Sequence, residues 1–352
     1  MQIDFHHATT YVAARLAGLD QEAAQTVAYA AQYVDDATSS GTIHFSNKAM
    51  YHRISSAHKM VDPRNAKALA NHLVWIPFHF LPGNGGQAAG VKHDGGFIEK
   101  IICTPDSPIA REMVAQAIIE KDKPYALHRL GIAMHVYADT WAHQGFAGVL
   151  HPVNEVERAK ETSDSGEFKK GLGRFMGDIL DDAIPPLGHG RATIFPDMPF
   201  LQWQYTDWQG QTVVRDNTAL FCDAAGQLCK AMQRFIAGNP KAQVPGIADA
   251  DKQKIRDLFL YAPKKEGEKR HTVWLKAIRD GVFSFGAETV TYTGKGKGSW
   301  KELALGTSFD LPVHSYKEDF LTSHWKMFHD AVQVHRLFVI HDLLPKYGIC
   351  AA

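Results

Sequence analysis

The chain has 352 residues, and 38 basic residues balance 38 acidic residues, so its formal net charge is zero. An apolar fraction of 45% and a charged fraction of 22% are typical of a folded globular protein, and they exclude disordered and fibrous classes. No apolar run approaches the roughly 20 residues that a membrane-spanning helix requires. The composition therefore indicates a folded protein without a transmembrane segment.

Charge and cysteine content narrow the function classes further. A neutral chain gives no strong signal for nucleic-acid binding, which depends on a basic surface. The N-terminal residues lack the basic region and apolar core of a secretory signal, so we expect a cytoplasmic protein or one exported without such a signal. A disulfide scaffold and a thiolate zinc site are excluded, since the sparse cysteines form no C-x-x-C pair: Cys103, Cys222, Cys229 and Cys350.

The first half of the chain predicts helices separated by polar turns. Gly18 is expected to end the first helix, and Asp20 is expected to cap the second. Residues 82–96 are rich in glycine and predict a loop. The last of these helices is apolar on nearly all sides, which places it in the interior. The helices are expected over residues 8–16, 21–36, 62–74, 108–120 and 124–149.

The second half continues this pattern, with helices expected over residues 168–183, 217–236, 249–261 and 318–344. Residues 195–208 combine aromatic residues with prolines and predict an ordered loop, and residues 264–270 predict a charged loop. Residues 282–303 suggest a small hairpin. We therefore expect a mainly α protein with long loops, forming one domain over 1–352, in which the C-terminal helical part 216–345 packs on the rest.

The sharpest feature is the motif His135-x-x-x-Asp139-x-x-x-His143 in the apolar helix. Steps of four residues advance about 40° each, so the three side chains lie along one helix face. Burying an ionised aspartate there is costly unless a cation or several donors satisfy it. The alternative is a core network in which a histidine merely donates to Asp139. Three titratable residues in register favour metal binding.

Two aspartates end the second predicted helix. Helical geometry places Asp35 at the edge of the apolar face, whereas Asp36 faces away. Asp35 is therefore the better candidate ligand, and Asp36 is expected to be solvated or to support the ligands from outside.

Four further histidines are considered as possible ligands. His79 stands in a stiff apolar stretch between prolines, where it is either a core residue or a ligand. His189 has a glycine on each side, which indicates close backbone packing around the ring. His6 and His7 lie near the N-terminus, where exposure to solvent is the default.

This order of residues resembles the zinc-dependent phospholipase C family and the related single-strand-specific zinc nucleases. The shared pattern is an N-terminal histidine, an aspartate ending an early helix, a lone histidine, then H-x-x-x-D with another histidine soon after. The motifs cover residues 4–197, and the chain looks closest to a bacterial branch without an assured activity. The resemblance implies a multi-helix bundle that holds two or three zinc ions in one cleft.

The resemblance also implies an assignment of ligands. Asp35 would be shared by the first and second zinc ions, and Asp139 would bridge to the third. The implied ligands are Asp35, His79, His135 and Asp139 for the first zinc, His143 and His189 for the second, and His6 (or His7) for the third.

The chain departs from the family pattern at two places. The family's first ligand group is the amino end of a mature chain, whereas this sequence begins Met1-Gln2, so either Asp4 is a substitute ligand or the third site is weaker. The family's last histidine is usually followed four residues later by an acidic residue, but Thr193 stands at that distance from His189. Three residues are candidates to complete the second site: His151, Glu155 and Asp197.

Imidazole and carboxylate ligands without thiolate suit zinc in a hydrolytic site. The resemblance implies attack of water on a phospholipid phosphodiester, releasing diacylglycerol and a phosphorylated head group, and peripheral contact with a membrane. Asp35 would accept the proton of that water. A nuclease with the same metals, and a non-catalytic interaction protein with a His/Asp network, are the alternatives. Export as an effector is a further expectation, and the sequence indicates no oligomeric state.

Overall fold

The computed structural model describes residues 1–58, 68–91, 95–162 and 187–350 of the chain. The expected helix over 168–183 and the first part of the one over 62–74 lie outside these residues. In the described part, none of the helices combines the length and apolar character needed to cross a membrane. The fold is mainly helical, as the sequence predicts. That residues 1–352 form one domain stays a prediction.

Eleven α-helices lie in the part of the chain that the structure describes. They are α1 (Thr10–Ala17), α2 (Gln21–Asp36), α3 (Ala68–Phe78), α4 (Phe97–Ile101), α5 (Pro108–Ile119), α6 (Ala126–Ala142), α7 (Asn217–Ala237), α8 (Asp249–Tyr261), α9 (Gly267–Arg279), α10 (Trp300–Leu305) and α11 (His324–Leu337). π-Helical turns precede α1 and follow α11, at Asp4–Thr9 and Phe338–Leu343. Short 3-10 turns occur at Asn84–Gly86, Pro152–Asn154, Gly190–Ala192, Phe195–Asp197, Glu318–Thr322 and Leu344–Tyr347.

Two small antiparallel sheets accompany the helices. The first pairs β1 (Gly41–His44) with β2 (Met50–Arg53). The second has the order β3 (Glu157–Glu161), β4 (Gln202–Thr206), β5 (Thr212–Asp216). The prediction of a loop over 195–208 was therefore wrong for residues 202–206. Its alternating Trp203 and Tyr205 point into an aromatic cluster, which is the period-two burial of a strand.

The predicted hairpin over 282–303 was wrong, because α2 satisfies this segment's backbone carbonyls and no second strand pairs with it in the described structure. The side chains of α2 that donate to these carbonyls are spaced four residues apart, and the carbonyls are spaced two apart. The pairs are Gln21 with Thr289, Gln25 with Thr291, and Tyr29 with Thr293. An extended segment thus lies along one face of a helix.

Local signals set most helix boundaries. Asp20 accepts from the backbone of Ala23 and caps α2, and Gly18 ends α1 with a φ of +103°. Both predictions are confirmed. α6 is shorter than expected, since it ends at Ala142 and the chain turns at Gly145, whose φ is +84°. The charged loop over 264–270 is also wrong in part, because α9 begins at Gly267.

Helix α6 lies at the centre of the protein and is buried along nearly its whole length. It packs against α2, α5, α7 and α11. Gly131 permits the close approach of α2, since a Cβ there would lie 2.4 Å from the carbonyl oxygen of Val27 on α2. This contact brings the C-terminal end of α2 against the histidine-bearing turns of α6.

Several buried histidines away from this region make the stability depend on pH. Burial lowers the pKa of His128 to about 3, that of His271 to about 4 and that of His329 to about 3. In the unfolded chain a histidine titrates near about 6.5, so the unfolded state binds more protons below that pH. We expect the free energy of unfolding to fall as the pH drops from about 6.5 towards 4.

A His128→Gln variant tests this account. It is expected to flatten the pH dependence by up to about 1.4 kcal/mol per pH unit, the contribution of one proton. The measurement is denaturant unfolding at a series of pH values, and the exposed His52→Gln is the control. An unchanged slope in the His128 variant would contradict the account.

Candidate metal centre

Histidines and aspartates from α6 and from four other parts of the chain lie close together in the structure. In the described part of the chain, possible ligand atoms form three groups, and within each group all atoms lie within 4.8 Å of one another. The groups are His6, Asp35 and His135; His79, His135 and Asp139; and His143, His189 and Asp197. The structure therefore brings together all seven predicted ligands, and of the three candidates to complete the second site it includes Asp197.

Asp139 lies in the middle of this cluster and is almost completely buried. Its Oδ2 is 3.3 Å from His135 Nε2, 3.5 Å from His79 Nδ1 and 3.6 Å from His143 Nδ1. Its Oδ1 is 3.2 Å from His6 Nε2. Burial alone would raise the pKa of this carboxyl group, but the surrounding histidines and the Met1 amine hold it well below its usual value. Asp139 is thus an ionised carboxylate in the protein interior.

Backbone carbonyls orient four of the histidines. A carbonyl only accepts, so the ring nitrogen facing it carries the hydrogen and the other ring nitrogen of a neutral imidazole presents a lone pair. Metal-binding histidines in proteins are held in this way. The contacts are His135 Nδ1 to Ala31 O at 2.8 Å, His79 Nε2 to Ser56 O at 2.9 Å, His143 Nδ1 to His79 O at 2.7 Å, and His189 Nδ1 to Thr193 O at 2.9 Å.

With the rings held in this way, the lone pairs of His135 and His79 face each other. His135 Nε2 and His79 Nδ1 are 3.3 Å apart, and Asp139 Oδ2 lies at a similar distance from both. Burial lowers the pKa of His135 to about 4, so at neutral pH its ring supplies no proton to this contact. A carboxylate oxygen and two ring nitrogens that share one point are well placed to bind a cation between them. The arrangement fits a metal ion.

Unused polar atoms support the same fit. Both ring nitrogens of His6, Oδ2 of Asp139 and Oδ1 of Asp197 are buried and make no hydrogen bond of good geometry with any described residue. Such atoms are rare in a stable interior and mark a strained network or a ligand site. Burial also lowers the pKa of His6 to about 4, which leaves its ring neutral and available as a ligand.

The amine of Met1 is a second positive group in the cluster. Its nitrogen lies 2.8 Å from Asp139 Oδ1 and 3.2 Å from Asp197 Oδ1. Burial alone would lower the pKa of the amine, but these carboxylates raise it to about 11. The ammonium group offsets Oδ1 of Asp139. It leaves the opposite face, where Oδ2 meets His79 and His135, without a cation.

The structure distinguishes Asp35 from its neighbour Asp36. Asp35 Oδ1 lies 3.8 Å from His79 Nδ1 and 3.9 Å from His135 Nε2, whereas Asp36 accepts a hydrogen bond from Tyr292 at 2.6 Å. Burial raises the pKa of Asp35, partly opposed by the adjacent histidines. Asp35 faces the cluster and Asp36 does not.

The structure also distinguishes His6 from His7, because the two side chains contact different residues. The ring of His6 stacks on that of His135 with centroids 3.8 Å apart, while His7 Nδ1 contacts His271 Nε2 at 2.9 Å. Only His6 belongs to the cluster. Asp4 is not a substitute ligand, since its carboxylate pairs with the buried Arg270 at 2.6 and 3.1 Å.

The second group corrects one implied assignment. Asp35 is not grouped with His143 and His189, because its carboxylate faces the His79–His135 side of the cluster. Asp197 takes that place, with Oδ2 3.7 Å from His189 Nε2. The other two candidates lie in separate contacts: His151 accepts from the backbone of Val153, and Glu155 pairs with Arg191.

Arg270 is the supporting residue that sequence reasoning missed. Besides Asp4 it donates to Gln2 Oε1 at 3.0 Å and to the carbonyl of Asp197 at 3.4 Å, so it ties the N-terminal turn to the second group. A signal was present in the sequence. Arg270 and Trp274 are four residues apart on the buried stripe of α9, where an arginine needs a partner.

Solvent reaches the cluster mainly through two side chains. Asp35 is 35% exposed and His189 is 19% exposed, whereas the side chains of His79, His135 and Asp139 are at most 5% exposed. An approaching molecule would therefore meet Asp35 and His189 first.

The sequence model of a family described as "Family of unknown function (DUF6765)" matches residues 1–343. The chain belongs to this family. No curated protein and no solved structure matches the chain. The DUF6765 match spans every member of the cluster and also Arg270, so the whole candidate site falls within the extent of the family.

Proposed function

We propose that this DUF6765 protein is a zinc-dependent phosphodiester hydrolase with a phospholipase C-like bundle. The observation that carries the proposal is the meeting of Asp139 Oδ2, His79 Nδ1 and His135 Nε2 within 3.5 Å of one another, while the other nitrogen of each ring contacts a backbone carbonyl. Two further groups of the same chemistry adjoin it, which supports a site for two or three ions.

The donor set favours zinc. All eight side chains of the cluster are imidazoles or carboxylates, which suit zinc in hydrolytic sites better than the thiolates of structural sites. His79, His135 and Asp139 would hold one ion, with His6 and Asp35 beside it, and His143, His189 and Asp197 would hold another. Bound zinc ions supply Lewis acidity and lower the pKa of water to near about 7.

Asp35 and His189, at the opening of the cluster, would contact the attacking water and the substrate. Asp35 is partly exposed, and its carboxylate faces His79 and His135 from the opening of the cluster. It would accept the proton of the attacking water. His189 would lie against the phosphodiester group, since it is the other exposed member of the cluster.

The substrate is proposed to be a phospholipid, which is cleaved to diacylglycerol and a phosphorylated head group. The support is the resemblance of the ligand order to phospholipases C, together with the zero net charge, which disfavours a polyanionic substrate. The protein would then contact a membrane surface from outside the bilayer. It would work in the cytoplasm or after export without an N-terminal signal.

Paired aspartate variants test the catalytic role. The zinc-loaded chain is expected to hydrolyse phosphatidylcholine vesicles, and Asp35→Asn is expected to lower the rate by at least about 100-fold, the range of general-base catalysis. Asp36→Asn is the matched control, because Asp36 bonds to Tyr292 outside the cluster. Its rate is expected to stay within about twofold of the unmodified chain.

Single-stranded DNA and bis(p-nitrophenyl) phosphate complete the assay. Faster cleavage of DNA than of phospholipid would replace the lipase proposal with a nuclease. A full rate in Asp35→Asn would refute the role of this residue as the base. No cleavage of any substrate by protein with bound zinc would favour the non-catalytic interaction protein.

A further inference from the structure

A half-enclosed cavity of about 380 Å³ lies between α5, α6 and α7, on the far side of α6 from the candidate metal centre. Tyr137 lines it, and two residues along a helix turn the side chain by about 200°, so Tyr137 points away from His135 and Asp139. The cavity is therefore separate from the proposed zinc site and is large enough for a small organic ligand.

One wall of this cavity carries a cation without a counter-ion. The Nε of Arg234 donates to the carbonyl of Ala242 at 3.2 Å, and no carboxylate among the described residues forms an ion pair with its guanidinium. The amide of Gln227, seven residues earlier on α7, also lines the cavity and makes no hydrogen bond within the described structure. The terminal nitrogens of the Arg234 guanidinium and the amide of Gln227 are therefore available to a ligand.

The opposite charge in the cavity is already neutralised. Asp106 accepts two hydrogen bonds from Arg111, at 3.0 and 2.6 Å, and one from the Tyr137 hydroxyl at 2.5 Å. One carboxylate and two guanidinium groups leave a formal charge of +1, which is located at Arg234. The cavity thus favours a single negative charge near Arg234 and Gln227.

The rest of the lining is apolar. It consists of Val114, Ala115 and Ile118 on α5, Ala231 on α7, and Pro240 beyond its end. A hydrated inorganic anion gains nothing from this surface, whereas a short alkyl chain does. A ligand with an anionic group and a short alkyl chain would contact both the charged wall and the apolar lining of the cavity.

We propose that this cavity binds a small amphiphilic anion, a carboxylate or phosphate that carries a short alkyl chain. The anionic group contacts Arg234 and Gln227, and the chain lies along the apolar side of α5. The site is independent of the zinc site, and its occupation does not require hydrolytic activity.

Calorimetric titration of the full chain with three probes tests the proposal: octanoate, octyl phosphate and octanol. Octanoate or octyl phosphate is expected to bind about tenfold or more tightly than octanol, which has the chain but no charge. The tighter of the two anions identifies the head group. Equal binding of octanol would overturn the proposal, as would no binding of either anion.

Two variants locate the site. Arg234→Gln is expected to weaken binding of the preferred anion about tenfold or more, whereas the exposed Arg279→Gln on α9 should leave it unchanged. Ala115→Leu fills the apolar side without altering charge and is expected to weaken the same anion to a similar extent. Thermal melting of each variant confirms the fold. Unaltered binding in both cavity variants would place the ligand elsewhere and overturn the proposal.

Discussion

Asp139→Asn is expected to abolish hydrolysis and to remove zinc from the protein. The substitution keeps the shape of the side chain but removes the charge that faces His79 and His135 on one side and His6 on the other. Loss of a group that only supports a ligand typically costs 10- to 100-fold in metal affinity or activity. Loss of a central carboxylate ligand should therefore cost more than about 100-fold.

The matched control is Asp223→Asn. Asp223 is exposed and accepts a hydrogen bond from Trp141 at the end of α6, so this variant also removes one charge and perturbs the same helix. It should keep full zinc content and rate. If Asp139→Asn retained the zinc of the unmodified chain, the cluster around Asp139 would not be the metal site.

Arg270→Gln is expected to destabilise the fold by about 3–5 kcal/mol, the cost of leaving one member of a buried ion pair without its partner. Arg270 and Asp4 are both 1% exposed, and the pair fixes the turn that carries His6. The same arginine holds the carbonyl of Asp197. The variant should therefore also bind zinc more weakly than the unmodified chain, even at temperatures where it is folded.

Denaturant unfolding measures this cost, with Arg279→Gln as the control on the same helix. The side chain of Arg279 is 63% exposed and pairs with Asp280 at 3.7 Å, so its loss should cost less than about 1 kcal/mol. An Asp4→Asn, Arg270→Gln double variant should lose less than the sum of the two single variants. Equal costs for Arg270→Gln and Arg279→Gln would show that the buried pair does not hold the N-terminal turn.

Local patterns predicted most of the helices, because their signals act within a few residues, but they missed α4, α9 and α10. Gly18, Asp20 and the apolar periodicity of α7 and α8 each report on their own turn of helix, and the observed boundaries agree with them. Residues 289–293 show the limit of such signals. Their extended backbone is satisfied by α2, more than 250 residues earlier in the chain, and nothing local distinguishes that partner from a second strand.

The same distinction applies to the candidate site. The spacing of His135 and Asp139 could be predicted, because one helix brings both side chains to the same face. The choice of Asp197 over Asp35 beside His189 could not, because it depends on where two distant segments meet. Arg270 could be predicted in part. The helical pattern indicates that it is buried, but the sequence does not identify Asp4 as its partner.

The central claim is that the cluster holds metal, and elemental analysis of the untagged chain, purified without chelators, tests it most directly. The account predicts two or three zinc ions per chain, matching the adjacent His/Asp groups. A chain that melts cooperatively but contains no zinc, and takes up none on dialysis against zinc, would contradict it. The Met1 ammonium group and the histidines would then form a metal-free polar network, and the interaction protein would become the better account.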